Sequence, residues 1–126
     1  MNFELLKTFT ILYVEDEKSL RIDIYENIIP FVKKIIIAVD GKDGLEKFMD
    51  NRGSIDLIVS DILMPNMNGI EMNDEIRKLD LEIPIIYTTA FNDSDFMKKT
   101  ITQSVTEYIL KPIDIELLLK GIQKAS

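Results

Sequence analysis

The sequence predicts an α/β fold, a doubly wound (βα)5 arrangement around a five-stranded parallel sheet in the order 2-1-3-4-5. Two observations lead there. Short runs rich in β-branched residues recur along the chain, and each is followed by a stretch with helical spacing. Those runs are apolar at nearly every position, which marks strands buried on both faces. Right-handed crossovers then leave few topologies. At 126 residues, one domain spanning 1–126 accounts for the chain.

The elements follow in order. Strands are predicted at Thr10–Val14, Ile35–Val39, Leu57–Ser60, Ile83–Thr88 and Tyr108–Leu110. The first helix runs from about Glu17 to Ile29 and is closed by Pro30. In the second, Leu45, Phe48 and Met49 are spaced i, i+3, i+4 behind a Gly41/Gly44 turn region. Met72, Ile76 and Leu79 form the stripe of the third. The segment from about Asp93 to Ser104 is the least amphipathic and reads as a loosely anchored helix. The last helix is the clearest, with Ile115, Leu118, Leu119 and Ile122 on one stripe and Asp114 placed as its N-cap.

Composition removes several function classes. With no cysteine, disulfides, zinc–thiolate sites and cysteine nucleophiles are excluded, and a reducing cytoplasm is the compartment that fits. With no histidine, there is no histidine base, metal ligand or phospho-donor. A net charge of −7 repels phosphate backbones, which argues against direct nucleic-acid binding. Residues 1–14 carry Glu4 and Lys7 and do not read as a signal peptide. Apolar runs such as Ile35–Val39 are too short to span a bilayer, so no membrane association is expected.

In open parallel sheets, ligands bind beyond the carboxyl ends of the strands. There the first strand runs into Glu15, Asp16 and Glu17, and the third into Asp61. The fourth ends at Thr89–Ala90 and the fifth at Lys111–Pro112. The predicted strand order brings these ends to one shallow pocket. Clustered carboxylates need a cation or partial protonation, and Mg²⁺ suits hard oxygen ligands best. Such a site can accept a phosphoryl group, with a carboxylate as nucleophile and the ammonium and hydroxyl stabilising its oxygens. Each residue also has an ordinary reading. Asp61 alone is as readily a turn aspartate before a proline loop. Thr89 suits a local backbone hydrogen bond, Lys111 a solvated loop, and Pro112 a plain strand exit. Glu17 fits capping or solvation better than ligation. Their coincidence on four strand ends favours the shared site.

Four segments, LYVEDE, VSDILMPNMNG, YTTAF and EYILKP, in this order and across nearly the whole chain, resemble the receiver domains of two-component response regulators. These domains are CheY-like, with a flavodoxin-like fold. The resemblance implies Asp61 as phospho-acceptor. It implies Mg²⁺ bound directly by Asp16, mainly through water by Glu15, and by the Leu63 backbone carbonyl. Thr89 and Lys111 would bind phosphoryl oxygens. Tyr108 would be the aromatic residue whose rotamer follows Thr89, the Lys111–Pro112 peptide would be cis, and Gly69 matches the glycine after the acceptor loop. The implied donor is a phosphohistidine on a sensor histidine kinase or phosphotransfer protein. The implied output is a change in the face formed by the fourth helix, fifth strand and fifth helix. An effector, or a second copy in a phosphorylation-dependent homodimer, would read that face. Such a domain catalyses its own phosphorylation and slow dephosphorylation and is not a conventional turnover enzyme. Two positions depart from the family pattern. Glu15 stands where an aspartate is usual, and Ser104 stands where glycine would accept a positive φ more readily.

Three rivals are weaker. A Mg²⁺-dependent aspartyl-phosphate phosphohydrolase of the haloacid-dehalogenase type would carry Asp-x-Asp after its first strand, where this chain has Glu15–Asp16–Glu17. A pseudo-receiver, binding partners without phosphorylation, would not need the intact acceptor, threonine and lysine. A nucleotide-binding fold lacks its glycine-rich motif here. Leu117 lies opposite the buried stripe of the last helix and is expected to be exposed, as a lone surface leucine or as a partner contact. Leu63 and Phe91 flank the path of an attacking water and are expected to slow loss of the phosphoryl group.

Overall fold

A computed structural model describes residues 3–90 and 93–125. Phe91, and with it the expectation placed on it, lies outside the described residues. The elements are β1 (Thr10–Val14), α1 (Lys18–Ile28), β2 (Lys34–Ala38), α2 (Gly41–Asp50) and β3 (Leu57–Asp61). They continue as α3 (Gly69–Leu79), β4 (Ile85–Thr89), α4 (Ser94–Met97), β5 (Glu107–Leu110) and α5 (Ile115–Ala125). All strand pairings are parallel, and the sheet order is β2-β1-β3-β4-β5, as predicted.

Every residue of β1, β3 and β4 is buried, which explains their lack of alternation. Side chains still divide between two cores. Ile11, Tyr13, Leu57, Val59 and Ile86 pack with α1 and α5 through Ile24, Ile28, Leu118, Leu119 and Ile122. Leu12, Val14, Ile58, Ile85 and Tyr87 pack with Phe48 of α2 and with Ile70, Met72 and Ile76 of α3. Asp114 caps α5, its Oδ1 accepting from Leu117 N at 3.2 Å.

Several boundaries differ from the sequence reading. The first helix begins at Lys18 and passes at Ile29 into a 3₁₀ turn, Ile29–Phe31, that holds Pro30 near its start, where a missing N–H is harmless. The fourth strand begins after Pro84, which has no N–H to give the ladder, and extends to Thr89. Gly41 and Gly44, read as a turn region, lie inside α2, which is capped by Asp40 through Asp43 N at 2.8 Å. The buried face of α2 is Gly41, Gly44 and Phe48, because a Cβ at Gly44 would press on Met72 and Val14. Met49 and Leu79, expected on buried stripes, are exposed.

The fourth helical segment departs most. It is one α turn, α4, followed by a 3₁₀ stretch from Lys98 to Gln103. It is also firmly anchored, with Thr100 and Gln103 fully buried. Ser104 ends it in the left-handed region (φ 55°, ψ 52°), the conformation that glycine would adopt more easily. An element absent from the sequence reading precedes β1. The 3₁₀ segment Glu4–Thr8 inserts Leu6, fully buried, into the α1/α5 core, while Phe3 meets Phe31 edge-on at 5.8 Å.

Candidate functional site

The carboxyl ends of β1, β3 and β5 converge on an acid cluster with one ammonium. Glu15 follows β1 directly and is fully buried. Its Oε2 accepts from Glu17 N at 3.0 Å. Its Oε1 lies 3.3 Å from Lys111 Nζ without making a hydrogen bond. Asp16 is exposed. Arg21 of α1 holds this turn, donating from Nη1 to the carbonyls of Glu15 (2.9 Å) and Asp16 (3.3 Å).

Asp61 ends β3 and is 6% exposed. Its Oδ1 accepts from Ile62 N at 2.7 Å and its Oδ2 from Lys111 Nζ at 2.9 Å. The loop behind it is closed by Gly69 N donating to Ile62 O at 2.8 Å. Only glycine fits at 69, since a Cβ there would overlap the Asp61 carbonyl. A capping box between Asn68 and Glu71 fixes the start of α3 immediately below. Leu63, two residues after Asp61, is 42% exposed.

Lys111 follows β5, its backbone N donating to Thr89 O at 2.7 Å, and the Lys111–Pro112 peptide is cis. Thr89 is buried at the end of β4. Tyr108 stacks on Tyr87 with ring centroids 6.1 Å apart, and its hydroxyl is bonded to Thr100.

Burial dominates the electrostatics. It pushes the Glu15 carboxyl up to about 7, against the hydrogen bond from Glu17 N, with the Asp61 charge adding to the rise. Burial also raises Asp61, although the Lys111 hydrogen bond and charge oppose it. For Lys111, burial alone favours loss of the proton. The hydrogen bond and charge of Asp61, with Glu15, outweigh that and raise it. The site thus carries more negative charge than one ammonium balances.

The residues present fit a hard divalent cation. Glu15, Asp16 and Asp61 each offer a carboxylate oxygen, and these lie within 4.8 Å of one another. One of them, Glu15, keeps a buried oxygen without a hydrogen bond.

Sequence reading named the acids, Thr89, Lys111 and Tyr108. It missed Arg21, and it missed Thr100 and Tyr87, which contact Tyr108, with the buried Asn73 and Gln103 bonded to Tyr87. The available signal was weak: Asn73 is a polar residue three after Ile70 on the buried face of α3.

A parallel sheet of this order with an acid cluster and a lysine at its carboxyl edge defines a receiver, and the comparisons agree. Residues 11–123 match the family model described as the response regulator receiver domain. The chain belongs to that family, the receiver domains of two-component signalling. It is 39% identical to the response regulator ArlR of Staphylococcus saprophyticus over 113 residues, 90% of this chain and 50% of the relative. It is 34% identical to the chemotaxis protein CheY of Treponema pallidum, covering 68% of this chain and 59% of that one. The chain thus spans about half the length of the relatives it matches. Among solved structures it resembles a response regulator receiver domain protein from Clostridium thermocellum (TM-score 0.87, 26% identity, 93% of each chain covered). It also resembles chemotaxis protein CheY4 of Vibrio cholerae (TM-score 0.85, 26% identity, 94% of this chain and 99% of the other). Among the described residues, no helix is long and apolar enough to cross a membrane.

Proposed function

We propose that Asp61 accepts a phosphoryl group from a phosphohistidine on a sensor histidine kinase or phosphotransfer protein. The observation that carries this reading is the Asp61–Lys111 contact of 2.9 Å inside a cluster of three carboxylates. A carboxylate oxygen of Asp61 attacks phosphorus, the phosphorus–nitrogen bond breaks, and its electron pair leaves with the donor imidazole. Lys111 is already placed to follow the charge onto the phosphoryl oxygens. Thr89, held at the next strand end, offers a hydroxyl to another. Glu15, Asp16, Asp61 and the Leu63 carbonyl would hold Mg²⁺, which supplies positive charge against the phosphoryl oxygens. A groove lined by Leu20, Asp23, Ile24, Pro112 and Ile113 opens beside Lys111 and supports access for a partner.

The test is incubation with acetyl phosphate, with and without Mg²⁺, read by intact mass. One added phosphoryl group that requires Mg²⁺ is expected. No addition to folded protein with Mg²⁺ present would move the reading to a phosphorylation-independent interaction module.

The output face is the one built from α4, β5 and α5. A groove there is lined by Tyr108, Leu110, Leu117, Lys120 and Lys124, and Leu110 and Leu117 are both more than half exposed. Leu117→Asp is expected to weaken phosphorylation-dependent association, with an effector or a second copy, by tenfold or more, because desolvating a carboxylate there costs more than the roughly 1–3 kcal/mol of a neutral polar group. Phosphoryl uptake should be unchanged. Sedimentation or partner-binding assays on the phosphorylated variant decide it, and equal association in parent and variant would remove Leu117 from the interface.

A further inference from the structure

We propose that Thr100 is a positioning residue that holds Tyr108 in its resting orientation and so sets the threshold of the switch. The inference rests on the reading of Asp61 as acceptor and Tyr108 as the residue that moves.

The hydrogen bonds fix their own direction. Thr100 Oγ1 donates its only proton to Met97 O at 2.7 Å, so in its bond with Tyr108 it must accept. The Tyr108 hydroxyl is therefore the donor. Its ring lies against Tyr87, whose side chain is fully buried.

Thr100 cannot follow Tyr108 if the tyrosine turns toward Thr89, because its segment is tied to α3. Gln103 Nε2 gives one hydrogen to Ile70 O (2.9 Å) and the other to Asp74 Oδ1 (2.8 Å), and its Oε1 accepts from the Tyr87 hydroxyl. That hydroxyl in turn accepts from Asn73 Nδ2 at 3.0 Å. Arg77 Nε donates to Gln103 O at 2.7 Å. Both hydrogens of the buried Gln103 amide are used and its oxygen is partnered, so the network resists deformation as a unit.

The same network reaches the acceptor. The carbonyl of Gly69, the residue packed under Asp61, lies 3.3 Å from the Tyr87 hydroxyl. Rotation of Tyr108 must break its bond to Thr100 and lift its ring from Tyr87. Both contacts are lost in that rotation, so they weight the equilibrium toward the observed arrangement. One net hydrogen bond weights such an equilibrium roughly threefold to tenfold.

The test uses protein labelled with 3-fluorotyrosine. Fluorine spectra of the parent, Thr100→Val and Thr100→Ser are recorded before and after acetyl phosphate, with Tyr108 assigned through Tyr108→Phe. Valine keeps the shape and removes the acceptor, whereas serine keeps the hydroxyl. In unphosphorylated Thr100→Val, the Tyr108 resonance should move away from its resting position, and phosphoryl uptake should rise threefold to tenfold. Thr100→Ser should restore both. Should the valine variant misfold, Thr100→Ala takes its place. An unmoved Tyr108 resonance in the folded variant, or an equal shift with serine, would overturn the proposal. If the parent takes up no phosphoryl group, the Asp61 reading fails. The resonance of unphosphorylated Thr100→Val then still decides whether Thr100 holds Tyr108.

Discussion

Asp61→Asn will take up no phosphoryl group from acetyl phosphate under conditions that load the parent protein fully. The substitution keeps size and shape, so the fold should survive. It replaces a nucleophilic oxyanion with an amide whose one oxygen can accept from Lys111 or from Ile62 N but not serve both, as the carboxylate does. Neither remaining acid can take over. Glu15 is fully buried, with one oxygen bonded to Glu17 N. Asp16 is exposed, and no ion pair to it is found among the described residues, so it lacks the fixed ammonium that Asp61 has. Asp61→Glu is a sharper probe, because it keeps the charge and moves it. An acceptor only 6% exposed, with Gly69 packed against its own carbonyl, has little room for another methylene. Displacement of the nucleophile by about 1 Å lowers rates on the order of a hundredfold. Intact mass against time measures both variants, and uptake by Asp61→Asn at the parent rate would place the acceptor elsewhere.

The sequence displayed the parts of this molecule that are apolar and regular. The central strands β1, β3 and β4 are buried throughout, so their composition announced them, and chain order then led to the sheet order. The acids and Lys111 were visible because charged residues directly beyond apolar runs are conspicuous. What stayed hidden was held by polar contacts. The Lys98–Gln103 stretch carries no apolar stripe, the feature that marks an anchored helix in sequence, yet it is anchored by a threonine and a glutamine. Glycines hid the face of α2 in the same way. Gly41 and Gly44 serve by lacking a side chain where α2 approaches Met67 and Met72, and no periodicity of large residues reports that. Leu6 was missed for a different reason: a single apolar residue in a short 3₁₀ turn has no periodicity to find. The same limit applies to Arg21, whose partners are backbone carbonyls that no side-chain pattern displays.

Metal-free protein should lose stability as pH rises from 5 to 8, and Mg²⁺ should return that stability at pH 8. Burial lifts Glu15 from an ordinary 4.5 to about 7. Between those values the folded protein holds a proton that the unfolded chain has released. Stability from this group is therefore complete below about 4.5 and is lost as pH climbs through 7. The difference corresponds to a ceiling of roughly 3 kcal/mol, or several degrees in Tm for a domain of this size. Asp61, also raised by burial, acts in the same direction. Lys111 is raised above 10.5 and so contributes no change in this window. No histidine adds to the change, since the chain has none. A bound cation would need the ionised carboxylate, so apparent Mg²⁺ affinity should fall about tenfold per pH unit below 7 and level off above it. Glu15→Gln separates charge from packing. It should flatten the pH profile of the metal-free protein, raise its stability at pH 8, and weaken Mg²⁺ binding at every pH. Thermal melts at pH 5, 6.5 and 8, in chelator or in Mg²⁺, measure all three effects. A metal-free profile that rises toward pH 8 would mean that Lys111 compensates both buried acids in full, and the argument for a cation at this site would lose its electrostatic basis.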